Sequence, residues 1–204
     1  MKIAIDLDRT IFDCSSLVFH IGNSFPPTLK NFDRKLKYKL VDPVEAKFFL
    51  NNLFFLKMSH SKNFHQVGVS VKILQKWATQ GFEIEFVSSR PDFKAFRKAT
   101  INWLEQHNIK FKKLIFACNN KPKYCQINQF DVLIDDMLSN CIGAELFGTK
   151  AIWLKNKYNK NLHNKQPKNI CGVNTWEEID NAVQKLNQNI LLSPRFVQTP
   201  VKEL

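Results

Sequence analysis

The sequence predicts an α/β fold, a three-layer sandwich in which helices cover both faces of a parallel sheet. Short apolar runs, typical of strands buried on both faces, recur along the chain. Segments with helical periodicity separate these runs, and such alternation is typical of a parallel sheet. Ligands of parallel sheets bind beyond the carboxyl ends of the strands. Functional residues are therefore expected where the predicted strands end.

The predicted strands set the frame of the fold. They lie at residues 3–5, 84–87, 114–116, 132–134 and 151–154. The first helix is predicted at residues 67–78, with Gly81 placed to end it. The second is predicted to start near Pro91. Its buried face is predicted to comprise Phe93, Phe96, Thr100, Trp103, Leu104 and His107.

Two further helices are predicted in the last third of the chain. One covers residues 138–147 and ends at Gly148. The other follows Thr175, which can form a capping box with Glu178. Together with the strands, these helices complete a core domain of residues 1–11 and 65–192.

Residues 12–64 interrupt the alternation of strands and helices. This segment is rich in Phe, Lys and Asn, and Pro26, Pro27 and Pro43 divide it. It is predicted to form a small, mostly helical cap inserted after the first strand. Residues 193–204 contain Pro194 and Pro200 and are predicted to form an irregular C-terminal tail.

The composition predicts a soluble, cytoplasmic protein with anionic partners. Lys and Arg number 30 against 18 acids, a formal net charge of +12. Such a charge attracts small phosphorylated substrates and nucleic acid alike, and the base composition of the genome can also produce it. The five cysteines include no C-x-x-C pair, which indicates neither a zinc site nor a disulfide framework. No apolar run is long enough for a signal peptide or a membrane span.

Two carboxylates, Asp6 and Asp8, follow directly on the first predicted strand. A hard cation such as Mg²⁺ takes oxygen ligands and relieves repulsion between neighbouring carboxylates. An Asp can also attack a phosphoryl group while a second acid protonates the leaving oxygen. The alternative is an Asp pair that only caps a turn after the strand.

A second polar group, Ser88, Ser89 and Arg90, lies between a strand end and a helix start. Hydroxyls and free backbone N–H groups at a helix N-terminus form an anion site. The alternative, for Ser89 above all, is a hydroxyl that only caps the helix.

A third group consists of Asp135 and Asp136, at the end of another strand, with Asn140 one helical turn later. If this strand lies beside the first, several acids converge around one cation. Lys121, upstream of them, could neutralise phosphate and carboxylate charge together.

In this order, the segments D-L-D-R-T, V-S-S-R-P, N-K-P-K-Y-C and L-I-D-D-M-L-S-N resemble the four motifs of the haloacid dehalogenase-like (HAD) hydrolase superfamily. The resemblance spans roughly residues 1–155. It implies a Rossmann-like core, a Mg²⁺ cofactor and hydrolysis of a phosphate monoester through an aspartyl-phosphate.

The resemblance also implies a role for each motif residue. Asp6 matches the nucleophile, and Asp8 matches the general acid and base whose main-chain carbonyl also binds the metal. Asp136 matches the metal-binding acid. The phosphate-binding and supporting positions are matched by Thr10, Ser88, Ser89, Lys121 (with Lys123 as the fallback), Asp135, Asn140 and Arg90.

A closer similarity to the 5'(3')-deoxyribonucleotidase branch and its bacterial nucleotidase-like relatives rests on S-R-P followed by T-x-x-W-L-x-x-H-x-I, beginning at Thr100. It implies a nucleoside monophosphate as substrate. Two alternatives stay open: a phosphatase of nucleic-acid ends, and a non-catalytic phosphate- or RNA-binding protein.

Arg9 departs from the HAD pattern, because many members have Gly between the acid and the hydroxyl. Gly permits a tight backbone that Arg is expected not to permit. The Arg9 side chain is expected to point to solvent or to reach a substrate phosphate, and its presence is expected to weaken turnover.

Overall fold

The computed structural model describes residues 1–13, 65–90 and 92–192. The strands of this part of the chain are β1 (Lys2–Ile5), β2 (Phe12–Asp13), β3 (His65–Gln66), β4 (Glu83–Val87), β5 (Lys113–Ile115), β6 (Val132–Asp135), β7 (Lys150–Leu154) and β8 (Cys171–Val173). The α-helices are α1 (Ser70–Thr79), α2 (Lys94–Gln106), α3 (Lys121–Ile127), α4 (Leu138–Leu146) and α5 (Trp176–Leu192). A 3₁₀ helix spans Lys160–Lys165.

Six strands form one sheet in the order β5-β4-β1-β6-β7-β8, and every neighbouring pair is parallel. The chain winds outward from β1 through β4 to β5 and then returns to β6 on the other side of β1. The winding direction therefore reverses beside β1. In open α/β sheets the ligand crevice lies at such a switch point.

The side chains of β1 alternate between two hydrophobic layers. Ile3 and Ile5 pack in one layer with α1, α2 and α5, whereas Ala4 packs in the other with α3 and α4. The buried tryptophans Trp77, Trp103 and Trp176 lie in the first layer and Trp153 in the second. Helices thus cover both faces of the parallel sheet, which confirms the predicted α/β sandwich.

A short antiparallel pair, β2 with β3, joins the chain on either side of residues 14–64. Phe12 of β2 is fully buried and packs edge-on against Trp103, with ring centroids 4.6 Å apart. Phe12 therefore belongs to the core, although the sequence predicted that the cap would start there. Residues 14–64 and 193–204 lie outside the described residues, so the helical cap and the irregular tail stay predictions.

The start of α2 differs from the prediction. The helix begins at Lys94, and Phe93 is its N-cap in an extended conformation (φ −95°, ψ 139°). This side chain therefore lies outside the helical stripe that faces the core. Phe93 is 53% exposed, so its predicted burial was wrong, whereas Phe96, Thr100, Trp103 and Leu104 are buried. Ser89 does not cap α2, since its hydroxyl donates to the Cys118 carbonyl oxygen at 3.1 Å.

No element was predicted at α3, at β8 or at the 3₁₀ helix. The capping residue of the last helix was predicted correctly: the Glu178 N–H donates to the Thr175 hydroxyl at 3.2 Å. Among the described residues, no helix combines the length and the hydropathy that crossing a membrane requires.

Candidate active site

Several chain segments meet at the carboxyl edge of the sheet beside β1. Asp6 follows β1, Ser88 follows β4, Asp135 ends β6 and Lys121 begins α3. The Asp6 N–H donates to the Ile134 carbonyl oxygen at 2.9 Å, which continues the hydrogen bonding between β1 and β6 by one residue. Asp6 is therefore held by sheet backbone, and its position is fixed by the strand that carries Asp135.

Lys121 lies between two carboxylates. Its Nζ is 2.5 Å from Asp6 Oδ1 and 2.8 Å from Asp135 Oδ2, and the residue is 3% exposed. Lys123, the fallback for the motif lysine, instead donates to Gln126 on the exposed side of α3. The structure thus brings Lys121 into the site and leaves Lys123 outside it.

Three carboxylates, from Asp6, Asp135 and Asp136, offer oxygen atoms that lie within 4.8 Å of one another. Burial raises the pKa of Asp6 to about 8, although the nearby Lys121 opposes this shift. Burial, with the negative charge of Asp135, likewise raises the pKa of Asp136 to about 6. Burial would lower the pKa of Lys121, but Asp6 and Asp135 outweigh it and raise that pKa. Negative charge in the cluster thus exceeds what Lys121 compensates.

The donor set fits a hard divalent cation. Mg²⁺ prefers carboxylate and carbonyl oxygens, and excess buried negative charge favours its binding. Both oxygens of Asp135 are already engaged, because Oδ1 accepts from the Met137 N–H at 2.8 Å and Oδ2 from Asn140 Nδ2 at 2.9 Å and from Lys121. Asp6 accepts one hydrogen bond on each oxygen, from Lys121 and Thr10, and Asp136 accepts one from Asn156, so both are less fully engaged than Asp135. Asp6 and Asp136 are therefore better placed than Asp135 to hold the ion, and Asp135 and Asn140 support the site.

Asp8 is not one of the three clustered carboxylates and pairs with Arg90. Arg90 Nε and Nη2 donate to the two carboxylate oxygens at 2.7 Å and 2.6 Å, a bidentate pair. Arg90 Nη1 also donates to the Thr100 hydroxyl at 3.1 Å, which anchors the guanidinium to α2. Arg90 is buried, whereas the side chain of Asp8 is 31% exposed. Arg90 thus orients Asp8 at the open side of the site.

The predicted hydroxyls occupy different places. The Thr10 hydroxyl donates to Asp6 Oδ2 at 3.3 Å and is fully buried. The Ser88 hydroxyl accepts from the Arg90 N–H at 3.1 Å, beside Asp8. Ser89 is exposed and turned toward the Cys118 carbonyl oxygen. Thr10 therefore contacts a carboxylate directly, Ser88 contacts the backbone of the arginine that pairs with Asp8, and the Ser89 hydroxyl is engaged elsewhere.

Residues that follow β7 complete the surroundings of Asp136, and sequence reasoning missed them. Asn156 Nδ2 lies 3.4 Å from Asp136 Oδ2. Asn159 Nδ2 and Trp153 Nε1 both donate to the Asp136 main-chain oxygen at 2.9 Å. The signal was available, because Asn156 lies directly beyond the carboxyl end of a predicted strand.

Arg9 adopts the left-handed conformation, with φ of 61°. The expectation that Arg would not permit the tight backbone here was therefore wrong. A left-handed residue other than Gly costs roughly 1–2 kcal/mol, and the turn supplies hydrogen bonds from the Arg9 N–H to Phe12 (2.7 Å) and from Ile11 to Leu7 (3.0 Å). The Arg9 guanidinium lies 3.9 Å from Asp136 Oδ2 and 5.1 Å from the Tyr158 ring centroid.

Comparisons with solved structures find similar folds. The putative β-phosphoglucomutase of Thermotoga maritima shares 15% identity, with 90% of this chain and 98% of that chain covered and a TM-score of 0.60. A predicted phosphatase of Clostridium acetobutylicum shares 14% identity over 90% and 98%, with a TM-score of 0.61. The D,D-heptose 1,7-bisphosphate phosphatase of B. bronchiseptica was solved with magnesium and phosphate. It shares 9% sequence identity, with 91% of this chain and 99% of that chain covered and a TM-score of 0.57.

The chain has the fold of the HAD-superfamily hydrolases. Within the sequence, the family described as "PITM 1-3, LNS2 domain" matches residues 50–138, less than half of the chain. No curated protein sequence matches it. The HAD-like prediction is therefore confirmed at the level of the fold. None of these comparisons identifies a nucleotidase branch.

Proposed function

We propose that the protein is a Mg²⁺-dependent phosphatase of small phosphate monoesters that acts through an aspartyl-phosphate on Asp6. The observation that carries this proposal is the placement of Asp6. It is buried, held by backbone at the switch point of the sheet, oriented by Lys121 and Thr10, and adjacent to Asp136. A carboxylate that only capped a turn would need none of these contacts.

In the proposed first step, an Asp6 carboxylate oxygen attacks the phosphorus atom. A P–O bond forms as the ester P–O bond breaks, and Asp8 gives its proton to the leaving oxygen. In the second step Asp8 takes a proton from water, whose oxygen attacks the phosphorus and releases phosphate and Asp6. The bidentate pair with Arg90 orients the ionised Asp8 that takes the proton in this second step.

The remaining residues have supporting roles in this proposal. Lys121 and the Ser88 hydroxyl bind oxygens of the phosphoryl group, and Thr10 orients the nucleophile. Mg²⁺, held by Asp6, Asp136 and the Asp8 main-chain carbonyl, supplies positive charge that offsets the charge of the phosphoryl oxygens. Ser89 is the weakest of the predicted phosphate ligands because its hydroxyl is engaged elsewhere.

For the substrate we propose a nucleotide, a nucleoside monophosphate being the smallest form, and for the location the cytoplasm. The helix residues that resemble the nucleotidase branch support this only indirectly, because Thr100, Trp103 and Leu104 are core residues. More direct support comes from the Tyr158 ring beside Arg9, which offers a surface for a base. The complete set of acids and Lys121 favours an enzyme over a non-catalytic binding protein.

The test is release of phosphate from nucleotides and from an aryl phosphate, with and without Mg²⁺. Asp6→Asn should lower turnover by about 1,000-fold or more while the circular dichroism spectrum is kept, because the amide still accepts from Lys121. Asp131→Asn is the matched control. That carboxylate lies at the opposite edge of the sheet, where it accepts from the Lys2 N–H. Full activity of Asp6→Asn would refute the mechanism.

A further inference from the structure

A long acid-free stretch follows the last residues of α4. Residues 146–176 contain six lysines and no Asp or Glu, in a chain with 18 acids. Five of the six, with the exposed Tyr158, lie in the segment between β7 and β8. We call this group the basic rim: Lys155, Lys157, Tyr158, Lys160, Lys165 and Lys168.

No acid of the described residues offsets the charge of the rim lysines. Lys76 pairs with Asp180 at 2.6 Å and Lys150 with Glu145 at 3.5 Å, whereas no rim lysine forms an ion pair with a described residue. A solvated surface that only maintains solubility normally mixes both signs of charge. An unpaired single-sign cluster instead produces a local field that attracts polyanions.

The rim is attached to the candidate active site. It begins where β7 ends, at the edge of the sheet that carries Asp6 and Asp136. Asn156 and Asn159 lie among the rim lysines and contact Asp136 through its carboxylate and its main-chain oxygen. A strand bound along the rim would therefore have one end at the three-carboxylate cluster.

The rim also presents an aromatic surface. Tyr158 is 42% exposed, and the cationic groups of Arg9 and Lys157 each lie 5.1 Å from its ring centroid. Aromatic side chains flanked by cations are what proteins use to stack unpaired bases beside a phosphate backbone. Tyr158 is the one large apolar residue of the rim, so the rim lacks the apolar face that insertion into a membrane surface requires.

We propose that the basic rim binds single-stranded nucleic acid and directs its terminal phosphate into the active site. This inference rests on the proposed phosphatase function and makes the end of a strand the preferred nucleotide substrate. Arg9 then contacts the terminal nucleotide from the rim side, which gives this departure from the HAD pattern a role in substrate binding.

The first test measures binding without chemistry. A fluorescein-labelled oligothymidylate of about 12 nucleotides, without a terminal phosphate, is titrated with protein, and its anisotropy is followed. If four phosphates are contacted, the dissociation constant should rise about 50-fold between roughly 50 and 200 mM salt. The double variant Lys157→Glu/Lys160→Glu should bind at least about tenfold more weakly and lower the salt slope by about 1.4.

The matched control is Lys110→Glu/Lys113→Glu, which changes the net charge equally at exposed positions on the opposite edge of the sheet. It should bind the oligonucleotide nearly as well as the unaltered protein. Equal weakening by both double variants would overturn the proposal, because only the overall charge would then matter. So would binding that does not respond to salt.

The second test compares KM for 5'- and 3'-phosphorylated oligonucleotides with KM for an aryl phosphate. Lys157→Glu/Lys160→Glu should raise the oligonucleotide KM, relative to that of the aryl phosphate, by about tenfold. If the protein binds the oligonucleotide but releases phosphate from no substrate, the proposed reaction would be overturned, whereas nucleic-acid binding by the basic rim would be supported. Binding of the rim to phosphatidylserine vesicles, with no binding of oligonucleotide, would assign the rim to a membrane surface and overturn the proposal.

Discussion

Replacing Lys121 by Met tests whether the buried lysine holds the acidic cluster together. Met keeps the approximate length and the apolar part of the side chain, so the main loss is the ammonium group between Asp6 and Asp135. Removal of one partner from a buried ion pair typically costs about 3–5 kcal/mol, because the other charge is left uncompensated. In a chain of 204 residues this corresponds to a fall in Tm of about 6–20 °C.

The cost should depend on pH in a defined direction. Burial raises the pKa of Asp6 to about 8 even with Lys121 present. Without Lys121, Asp6 can take up a proton and so avoid part of the penalty. The free energy of unfolding lost by Lys121→Met should therefore be smaller near about pH 6 than near about pH 8.5.

The assay is urea denaturation in EDTA, so that no divalent ion replaces the lysine. Lys123→Met is the matched control on the same helix. The Lys123 ammonium donates to Gln126 at 3.0 Å on an exposed surface and lies 5.7 Å from the Phe147 ring centroid, so this change should stay within about 0.5 kcal/mol. In the double variant with Asp6→Asn, the two losses should not add, and the coupling should exceed about 1 kcal/mol. A loss below about 1 kcal/mol for Lys121→Met would refute this account of the cluster.

Other consequences concern metal, catalysis and stability. Burial raises the pKa of Asp6 to about 8 and that of Asp136 to about 6, so protons compete with Mg²⁺ at both ligands. Calorimetry should show an affinity that increases roughly tenfold per pH unit as pH rises from about 6 to 8, and more steeply below about pH 6; a constant affinity would contradict this. Arg90→Lys loses the bidentate contact to Asp8 and should lower kcat about tenfold or more with little change in KM. Burial opposes ionisation of Asp180, but hydrogen bonds, chiefly from Lys76 and Trp77, hold its pKa below the usual value. Asp180→Ala should therefore cost about 1 kcal/mol in urea denaturation at neutral pH, a difference that shrinks as pH falls below about 4.

The sequence was sufficient to predict the sheet and much of the site, because both depend on local signals. Apolar runs mark β1 and β6, and each ends in the acids that the structure brings together. Parallel pairing then places the carboxyl ends of adjacent strands at one edge. The position of Lys121 is less local. It depends on where α3 begins, and a helix of seven residues gives little periodicity to detect.

Pairings between distant segments could not be predicted in this way. Arg90 and Asp8 are 82 residues apart, and nothing in V-S-S-R-P distinguishes an arginine that orients an acid from one that binds phosphate. The burial of Phe93 was wrong for a related reason. Apolar residues at helical spacing predict the buried face of a helix, but they do not define the residue at which the helix begins. Because α2 begins at Lys94, Phe93 precedes the helix and does not share its buried face.

The backbone conformation of Arg9 changes how its departure from the HAD motif is interpreted. Without Gly at this position the backbone was expected to be hindered, yet Arg9 adopts the left-handed conformation that favours Gly. The turn therefore keeps its shape, and the conformational cost is the same whichever way the side chain points. Since Gly would avoid that cost, the arginine is expected to contribute something that Gly lacks. Its guanidinium lies between Asp136 and Tyr158, so the strain is best explained by a binding contact at the boundary between the acidic cluster and the basic rim.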